Sequence, residues 1–396
     1  MMSVRSRPSV FLFALCALTA ADAPAAEPSQ ADADTAGSMA QSVVNVGDSG
    51  RLARAFDKAR RGEAITLGYL GGSITQGYAA SRDANRYASR ITAWWQQQFP
   101  TAKVAAVNAG IGGTGSDYGA LRVKQDLLSK NPDVVFVEFA VNDGDNEHSA
   151  RTLEGVVRQV LGAPVSPACV LLFMSHNGRN AQRWHAQVGK HYDLPMVSYR
   201  DGLAVEIAAG RLKWADISPD DIHPNDRGHA MAARYVTALL DTHAARPPAP
   251  QPATAALPAP RFTDLYANVD SRDAADLRPT RADGWAYDAA TKSWKADRPG
   301  SVIEFETSGR GVALMYYRVH KDFGRARVTV DGAHEQTFDG WFDQTWGGYR
   351  HTSDVATDLP PGRHAVRVEL LNEKAEKSRG HEFRIMGLAA LGVATP

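Results

Sequence analysis

The hydrophobic positions between residues 51 and 243 follow a repeating pattern. Short, nearly continuous apolar runs predict buried strands, and segments with apolar residues at helical spacing separate them. The predicted strands are 64–70, 102–110, 134–140, 168–174 and 194–199, and the predicted helices include 51–62, 82–98, 117–130, 147–161, 180–191 and 225–244. Because apolar strands that alternate with amphipathic helices need cover on both faces, the pattern predicts a parallel sheet between two helical layers.

The pattern changes after residue 243. Residues 244–260 contain six prolines and no aromatic residue, which predicts a semi-rigid linker. Residues 261–396 carry short runs of alternating apolar and polar residues, and Asp331-Gly332 is typical of a hairpin turn. The sequence therefore predicts a domain at 42–243 and an accessory antiparallel β-sandwich at 261–396.

The N-terminus has the features of an export signal. Arg5 and Arg7 precede a short apolar run, and Ala23-Pro24-Ala25 matches an A-x-A cleavage site. The run is too short to span a bilayer as a helix. We therefore predict a signal peptide at 1–25, a disordered segment at 26–41, and a periplasmic or secreted protein with no membrane anchor after cleavage.

Composition narrows the classes of function. The 44 basic and 44 acidic residues give a formal net charge of zero, without a long run of either sign, so we expect no nucleic-acid partner. After signal cleavage Cys169 is the single cysteine, within an apolar strand. It predicts a buried, inert thiol and no intrachain disulfide.

The first strand leads into GYLGGSITQG (68–77), a glycine-rich turn before a helix. Its glycines do not have the G-x-G-x-x-G spacing of a dinucleotide-binding turn, and no lysine follows them as in a P-loop. Two interpretations of Ser73 stay open at this point. It is a nucleophile on a sharp strand-to-helix turn, or it caps the helix.

Three further segments carry the groups that a serine nucleophile needs. The glycine-rich loop after the second strand contains Gly113, whose backbone N–H is a candidate oxyanion donor. Asn142 follows the third strand and offers a side-chain amide. Asp220 precedes His223 by three residues, so one loop can carry both the base and the group that orients it.

These four segments resemble blocks I, II, III and V of the SGNH (GDSL-type) hydrolases, in the same order. The resemblance covers about residues 60–240 and implies a flavodoxin-like α/β/α fold that needs no metal or cofactor. It assigns Ser73 as nucleophile and first oxyanion donor, with Gly113 and Asn142 as the other donors. It also assigns Asp220 and His223 as the D-x-x-H pair.

The sequence departs from the family pattern at two places. Gly72 stands where these hydrolases usually have aspartate, and Ala140-Val141 replaces a glycine-rich start of block III. Neither change removes a group that performs chemistry. The GGSIT form also resembles a subgroup of exported esterases that act on polysaccharides.

Other residues receive weaker assignments. His176, after the fourth strand, is a candidate substrate contact, whereas Glu138 is predicted to be a satisfied structural carboxylate and Trp214 to pack. Asp143 and Asp145 lack the His or Cys neighbours of a metal site. In the sandwich, three aromatic residues are candidate platforms for sugar rings or, equally, core residues: Trp341, Trp346 and Tyr349.

The sequence therefore predicts a serine esterase that removes O-acetyl groups from plant-type polysaccharides or oligosaccharides, with xylan or xyloglucan favoured. One alternative is a lipase, lysophospholipase or thioesterase that uses the same residues. Another is a carbohydrate-binding protein with an inactive SGNH domain. The linker is short, so we expect the sandwich to dock beside the crevice instead of moving as an independent binding module.

Overall fold

The computed structural model describes residues 36–48, 50–246 and 256–394. The predicted signal peptide at 1–25 lies outside the described residues. So do residues 26–35 of the predicted disordered segment and 247–255 of the predicted linker.

The first domain consists of short strands and longer helices that alternate along the chain. Its strands are β1 (Val43–Asn45), β2 (Ala64–Gly71), β3 (Lys103–Gly110), β4 (Val134–Glu138), β5 (Ala168–Phe173) and β6 (Met196–Ser198). Its helices are α1 (Ala36–Ser42), α2 (Gly50–Arg60), α3 (Ser73–Gln76), α4 (Tyr87–Gln98), α5 (Ser116–Asp126), α6 (Glu147–Leu161), α7 (Gln182–His191), α8 (Tyr199–Ala208) and α9 (Asp226–Ala244). Single 3-10 turns occupy Asp83–Asn85, Leu128–Lys130 and Trp214–Asp216.

The six strands form one sheet in the order β1-β6-β5-β4-β2-β3. Strands β2 to β6 are parallel, and β1 pairs antiparallel with β6 at the edge. The core on one face is built with α2, α4, α8 and α9, and the core on the other with α5, α6 and α7. Every residue of β4 and β5 is buried because helices cover both faces. The predicted flavodoxin-like three-layer fold is confirmed.

Helix α1 corrects the disorder prediction for residues 36–41. Its Ser38 hydroxyl donates a hydrogen bond to the Gly202 carbonyl at 3.2 Å and lies 2.7 Å from the Tyr235 hydroxyl. The segment is small and polar in sequence, but these contacts with α8 and α9 order it. Composition alone could not reveal partners so distant along the chain.

The second domain is an antiparallel sandwich of two sheets around one core. The first sheet contains β7 (Val269–Asp273), β9 (Ala286–Asp288), β10 (Ser293–Ala296), β12 (Gly311–Arg318), β15 (Tyr349–Ala356) and β17 (Phe383–Leu391). The second contains β8 (Arg281–Asp283), β11 (Val302–Gly309), β13 (Arg325–Val330), β14 (His334–Asp339) and β16 (Gly362–Leu370). The predicted antiparallel β-sandwich is confirmed.

The two domains are packed together. Buried Glu154 on α6 accepts hydrogen bonds from three successive backbone N–H groups of the second domain, at Arg261, Phe262 and Thr263. Apolar residues of β12 and β17 belong to the same buried cluster as those of α5 and α6. This continuous apolar contact matches the expectation that the sandwich docks on the first domain.

Candidate active site

The turn between β2 and α3 explains both glycines before Ser73. A Cβ on Gly71 would lie 2.1 Å from Thr75 Oγ1 and 2.5 Å from the Glu138 carbonyl oxygen. A Cβ on Gly72 would lie 2.2 Å from Oδ1 of Asn142. Real Cβ atoms essentially never approach this closely, so the aspartate that the GDSL pattern has at residue 72 would require the Asn142 side chain to move.

Hydrogen bonds hold the glycine-rich loop after β3 against this turn. The Gly71 carbonyl accepts hydrogen bonds from Ile111 N at 3.0 Å and from buried Arg122 at 3.1 Å. The Gly112 N–H donates to Gln76 Oε1 on α3 at 3.0 Å. These bonds fix the loop that contains Gly113 beside the start of α3.

Ser73, His223 and Asp220 form a hydrogen-bonded relay. Ser73 Oγ lies 2.9 Å from His223 Nε2, and His223 Nδ1 lies 2.9 Å from Asp220 Oδ2. The histidine side chain is 17% exposed and therefore remains within reach of a small substrate. This geometry matches that of a serine nucleophile, its general base and the carboxylate that orients the base.

Asp220 is held in its ionised form by the loop that carries it. Its Oδ1 accepts from the backbone N–H groups of Ile222 at 2.7 Å and His223 at 2.6 Å. Partial burial raises the pKa of Asp220, but the hydrogen bonds from His223 and Ile222 outweigh it, so the pKa lies below its usual value. The neighbouring Asp221 instead contacts Asn177 at 3.5 Å.

The other two predicted oxyanion donors lie close to the serine turn. Gly113 has φ +72°, a left-handed conformation that favours glycine. The Asn142 side chain approaches Gly72 and makes no hydrogen bond within the described chain, which leaves its amide available. Asp143 anchors the Asn142 loop because its carboxylate accepts from Ser116 N at 2.8 Å and lies 2.9 Å from His185 Nε2.

The sandwich brings two of its three candidate aromatic residues to this site. Tyr349 Cβ and Trp346 Cη2 would lie 3.3 and 3.5 Å from a Cβ on Gly113. The rings of Trp346 and Tyr349 are 5.5 Å apart, and Trp346 is 60% exposed. Trp341 instead packs against His320, with ring centroids 5.2 Å apart. His176 forms a bridge with Arg179, and no described contact joins it to Ser73 or His223.

Comparison with known proteins identifies the family. The GDSL-like lipase/acylhydrolase family matches residues 69–231. Two crystal structures of a two-domain esterase active on acetylated mannans, one of them with mannopentaose, are 33% identical to the chain. Each alignment covers 90% of this chain and 99% of the esterase, with TM-scores of 0.82 and 0.83. The chain belongs to the GDSL-like hydrolase family. No curated protein sequence matches it.

As a GDSL-like hydrolase, the protein is a carboxylic ester hydrolase, and the predicted family, fold and enzyme class are confirmed. Within residues 36–48, 50–246 and 256–394, no group of three or more His, Cys, Asp or Glu side chains could hold a metal ion. In the same ranges, no helix has the length and apolar character needed to cross a membrane.

Tyr78 is a site residue of this hydrolase that the sequence analysis missed. Its ring lies over His223, with centroids 4.2 Å apart, and 60% of the residue is exposed. Its backbone N–H donates to the Ser73 carbonyl at 3.0 Å. The tyrosine follows the serine turn closely in sequence, but no sequence pattern predicts the contact between its ring and His223.

Glu138 differs from its prediction as a satisfied carboxylate. It is buried below the serine turn, where Thr75 Oγ1 lies 3.4 Å from Oε2, and among the described residues Oε1 has no hydrogen-bond partner. Burial, assisted by the nearby Asp143 carboxylate, raises the pKa of Glu138 to about 8. The raised pKa favours the protonated, neutral form of Glu138 near neutral pH.

Proposed function

We propose that this hydrolase is an exported serine acetylesterase that removes O-acetyl groups from polysaccharides through an acetyl-enzyme. The observation that carries the proposal is the 2.9 Å contact between Ser73 Oγ and His223 Nε2, with Asp220 at 2.9 Å from the other ring nitrogen. An intact relay of this kind also weighs against a binding protein with an inactive hydrolase domain.

In the first half of the reaction, His223 Nε2 takes the proton from Ser73 Oγ as this oxygen attacks the acetyl carbonyl carbon. Asp220 keeps the imidazole in the tautomer with its proton on Nδ1 and stabilises the imidazolium that forms. His223 then gives the proton to the departing sugar oxygen, which leaves the acetyl group on Ser73. In the second half, water attacks this ester with His223 again as base, and acetate leaves.

The negative oxygen of each tetrahedral intermediate needs donors that are already in place. We assign this role to the backbone N–H groups of Ser73 and Gly113 and to the Asn142 side-chain amide. Gly112 and Asp143, the neighbours of two of these donors, are themselves hydrogen-bonded to the scaffold. The loops that carry these donors are therefore held in place before the charge develops.

A polysaccharide substrate is supported by two features. The chain is 33% identical over 90% of its length to an esterase active on acetylated mannans, so mannan joins xylan and xyloglucan as a candidate. The exposed Trp346 ring and Tyr349 of the sandwich lie beside Gly113, where they offer an apolar platform to a sugar ring. Under this proposal residues 261–396 complete the substrate site of the catalytic domain at 42–243. Export is supported by the signal-like pattern in residues 1–25.

The proposal is tested by acetate release from acetylated mannan, xylan and xyloglucan, measured for the wild type and Ser73→Ala. We expect release from at least one polymer by the wild type and a loss of at least about 10³-fold in the variant. Aryl esters from acetate to palmitate test the lipase alternative. Faster hydrolysis of butyrate or longer esters than of acetate, with no acetate released from any polymer, would replace this proposal with that alternative.

A further inference from the structure

We propose that a cavity on the catalytic domain, beside the loop that carries Asp220 and His223, binds a second sugar ring of the polysaccharide. This inference rests on the acetylesterase function proposed above and adds a subsite to it. The subsite is separate from the aromatic platform of the sandwich.

The cavity lies at the carboxyl ends of β5 and β6 and has a volume of about 470 Å³, within the usual range of small-molecule sites. Its lining comes from the turn after β5, from α8 and from the segment before the catalytic loop. The residues that matter here are Asn177, Arg200, Ala204, Ile207, Ala208 and Trp214.

The order of the strands places this cavity and the aromatic platform on opposite sides of Ser73. Ser73 follows β2, whose neighbours are β4 and β3, and Gly113 with the platform follows β3. The cavity begins at β5, two strands from β2 on the other side. At about 4.8 Å per strand that separation is about 10 Å. A polymer that extends from the platform across Ser73 would therefore run towards the side of the sheet where the cavity begins.

The cavity is also joined directly to the catalytic loop. Trp214 Nε1 donates to the Asp220 carbonyl at 3.1 Å, and Asn177 Nδ2 lies 3.5 Å from Asp221 Oδ1. A ring held against Trp214 would thus lie next to the group that orients His223. This proximity suits a sugar unit near the one whose acetyl group is removed.

The lining has the mixed character that a pyranose ring requires. Trp214, the exposed Ile207 and two exposed alanines, Ala204 and Ala208, supply apolar surface for the C–H face of a ring. Arg200 uses Nε on Asp201 and Nη1 on Asn180, which leaves Nη2 without a hydrogen bond in the described chain.

A second polar group stands on a rigid turn. Asn177 and Gly178 have φ 42° and 82°, and the residues on either side of them, His176 and Arg179, exchange two backbone hydrogen bonds of 2.9 Å. This two-residue turn holds Asn177 at the rim, so a ligand would pay little entropy to order it.

An acyl chain fits this cavity less well. It would bring hydrocarbon against Arg200 and remove water from its Nη2 without replacing the hydrogen bonds of that water, which is unfavourable. The hydroxyl groups of a sugar can replace those hydrogen bonds. The lining therefore favours a carbohydrate occupant.

The test fills the cavity without touching the relay. Ala204→Trp and Ala208→Trp place a large side chain on exposed positions of α8 that line the cavity, and Ala209→Trp, an exposed neighbour outside the lining, is the matched control. Binding of mannopentaose and xylopentaose to each variant in a Ser73→Ala background is measured by calorimetry. kcat/KM is measured for p-nitrophenyl acetate, for p-nitrophenyl octanoate and for acetylated oligosaccharides.

We expect both cavity variants to keep the melting temperature and p-nitrophenyl acetate kinetics of the control, while oligosaccharide Kd and KM rise about tenfold. Pentaose binding that is equal in the cavity variants and the control, or absent in all of them, would overturn the subsite. Loss of octanoate hydrolysis instead would assign the cavity to an acyl chain. Failure of the wild type to release acetate from any polymer would reject the proposed function separately, since pentaose binding does not depend on that chemistry.

Discussion

Gly72 offers a sharp test of the oxyanion hole because its substitution should disable a donor without unfolding the turn. In Gly72→Ala the new Cβ would lie 2.2 Å from Asn142 Oδ1 and 3.3 Å from the Thr114 carbonyl oxygen. Contacts below 3.0 Å do not persist, so the close oxygen must move. The Asn142 side chain is exposed and makes no hydrogen bond to any described residue, so it can rotate away.

The expected loss of kcat in Gly72→Ala is that of removing one oxyanion donor. Removal of one oxyanion donor costs about 10²–10³ in kcat, or roughly 3–4 kcal/mol of transition-state stabilisation. The free energy of unfolding should change by less than about 1 kcal/mol, since the movement is confined to an exposed side chain. We therefore expect a low kcat, a nearly unchanged KM and a normal melting temperature.

The assay compares four proteins on p-nitrophenyl acetate: wild type, Gly72→Ala, Asn142→Ala and the double variant. If the alanine acts through Asn142, the double variant should be no slower than the slower single variant, because the same donor is lost once. Activity of Gly72→Ala within about threefold of wild type would show that the alanine leaves the Asn142 amide in place or that this amide is not an oxyanion donor. Multiplicative losses in the double variant would show that the alanine acts by another route.

Three further predictions concern the surroundings of the site. Glu138→Gln should flatten the pH dependence of stability, because burial raises the pKa of Glu138 from 4.5 to about 8 in the folded protein. As pH rises through this window, the unfolded wild type ionises and the folded protein does not, so the unfolding free energy falls by roughly 1 kcal/mol per pH unit. The same pH dependence for both proteins in urea denaturation would contradict this prediction. Glu154→Ala should lower the unfolding free energy by about 3 kcal/mol in urea denaturation, because three backbone N–H groups lose a buried acceptor. Its control is Glu147→Ala, an exposed position on the same helix, which should change the unfolding free energy little. Tyr78→Ala should reduce kcat/KM for p-nitrophenyl acetate roughly tenfold, because the His223 ring loses the contact that orients it. Tyr78→Phe keeps this contact and should retain the wild-type value. An equal loss in both variants would show that the tyrosine hydroxyl matters instead of the ring contact.

The sequence predicted the strands that are buried on both sides. Strand β5 is apolar throughout, and β4 is apolar except for Glu138, because helices cover both faces, so these strands carry a strong signal. Strands β8, β9 and β14 carry no such signal, because they lie largely exposed and need few apolar residues. Helix α8 was missed, since its apolar and polar residues are not separated onto two faces.

The candidate site likewise combines residues that short motifs predict with contacts that form only when distant parts of the chain pack together. Ser73, Asp220 and His223 lie in short motifs, and one loop supplies both members of the Asp-His pair. The approach of Trp346 and Tyr349 to Gly113 depends on how two domains pack, which no local pattern encodes. The steric conflict between a Cβ at residue 72 and Asn142 likewise exists only after folding.

The central claim is that Ser73, activated by His223, removes acetyl groups from a polysaccharide. The most direct measurement is acetate release from acetylated mannan by equal amounts of wild-type protein and Ser73→Ala. We expect sustained release by the wild type and a rate at least about 10³-fold lower for the variant, with the same fold by circular dichroism. Equal rates for the two proteins would contradict it.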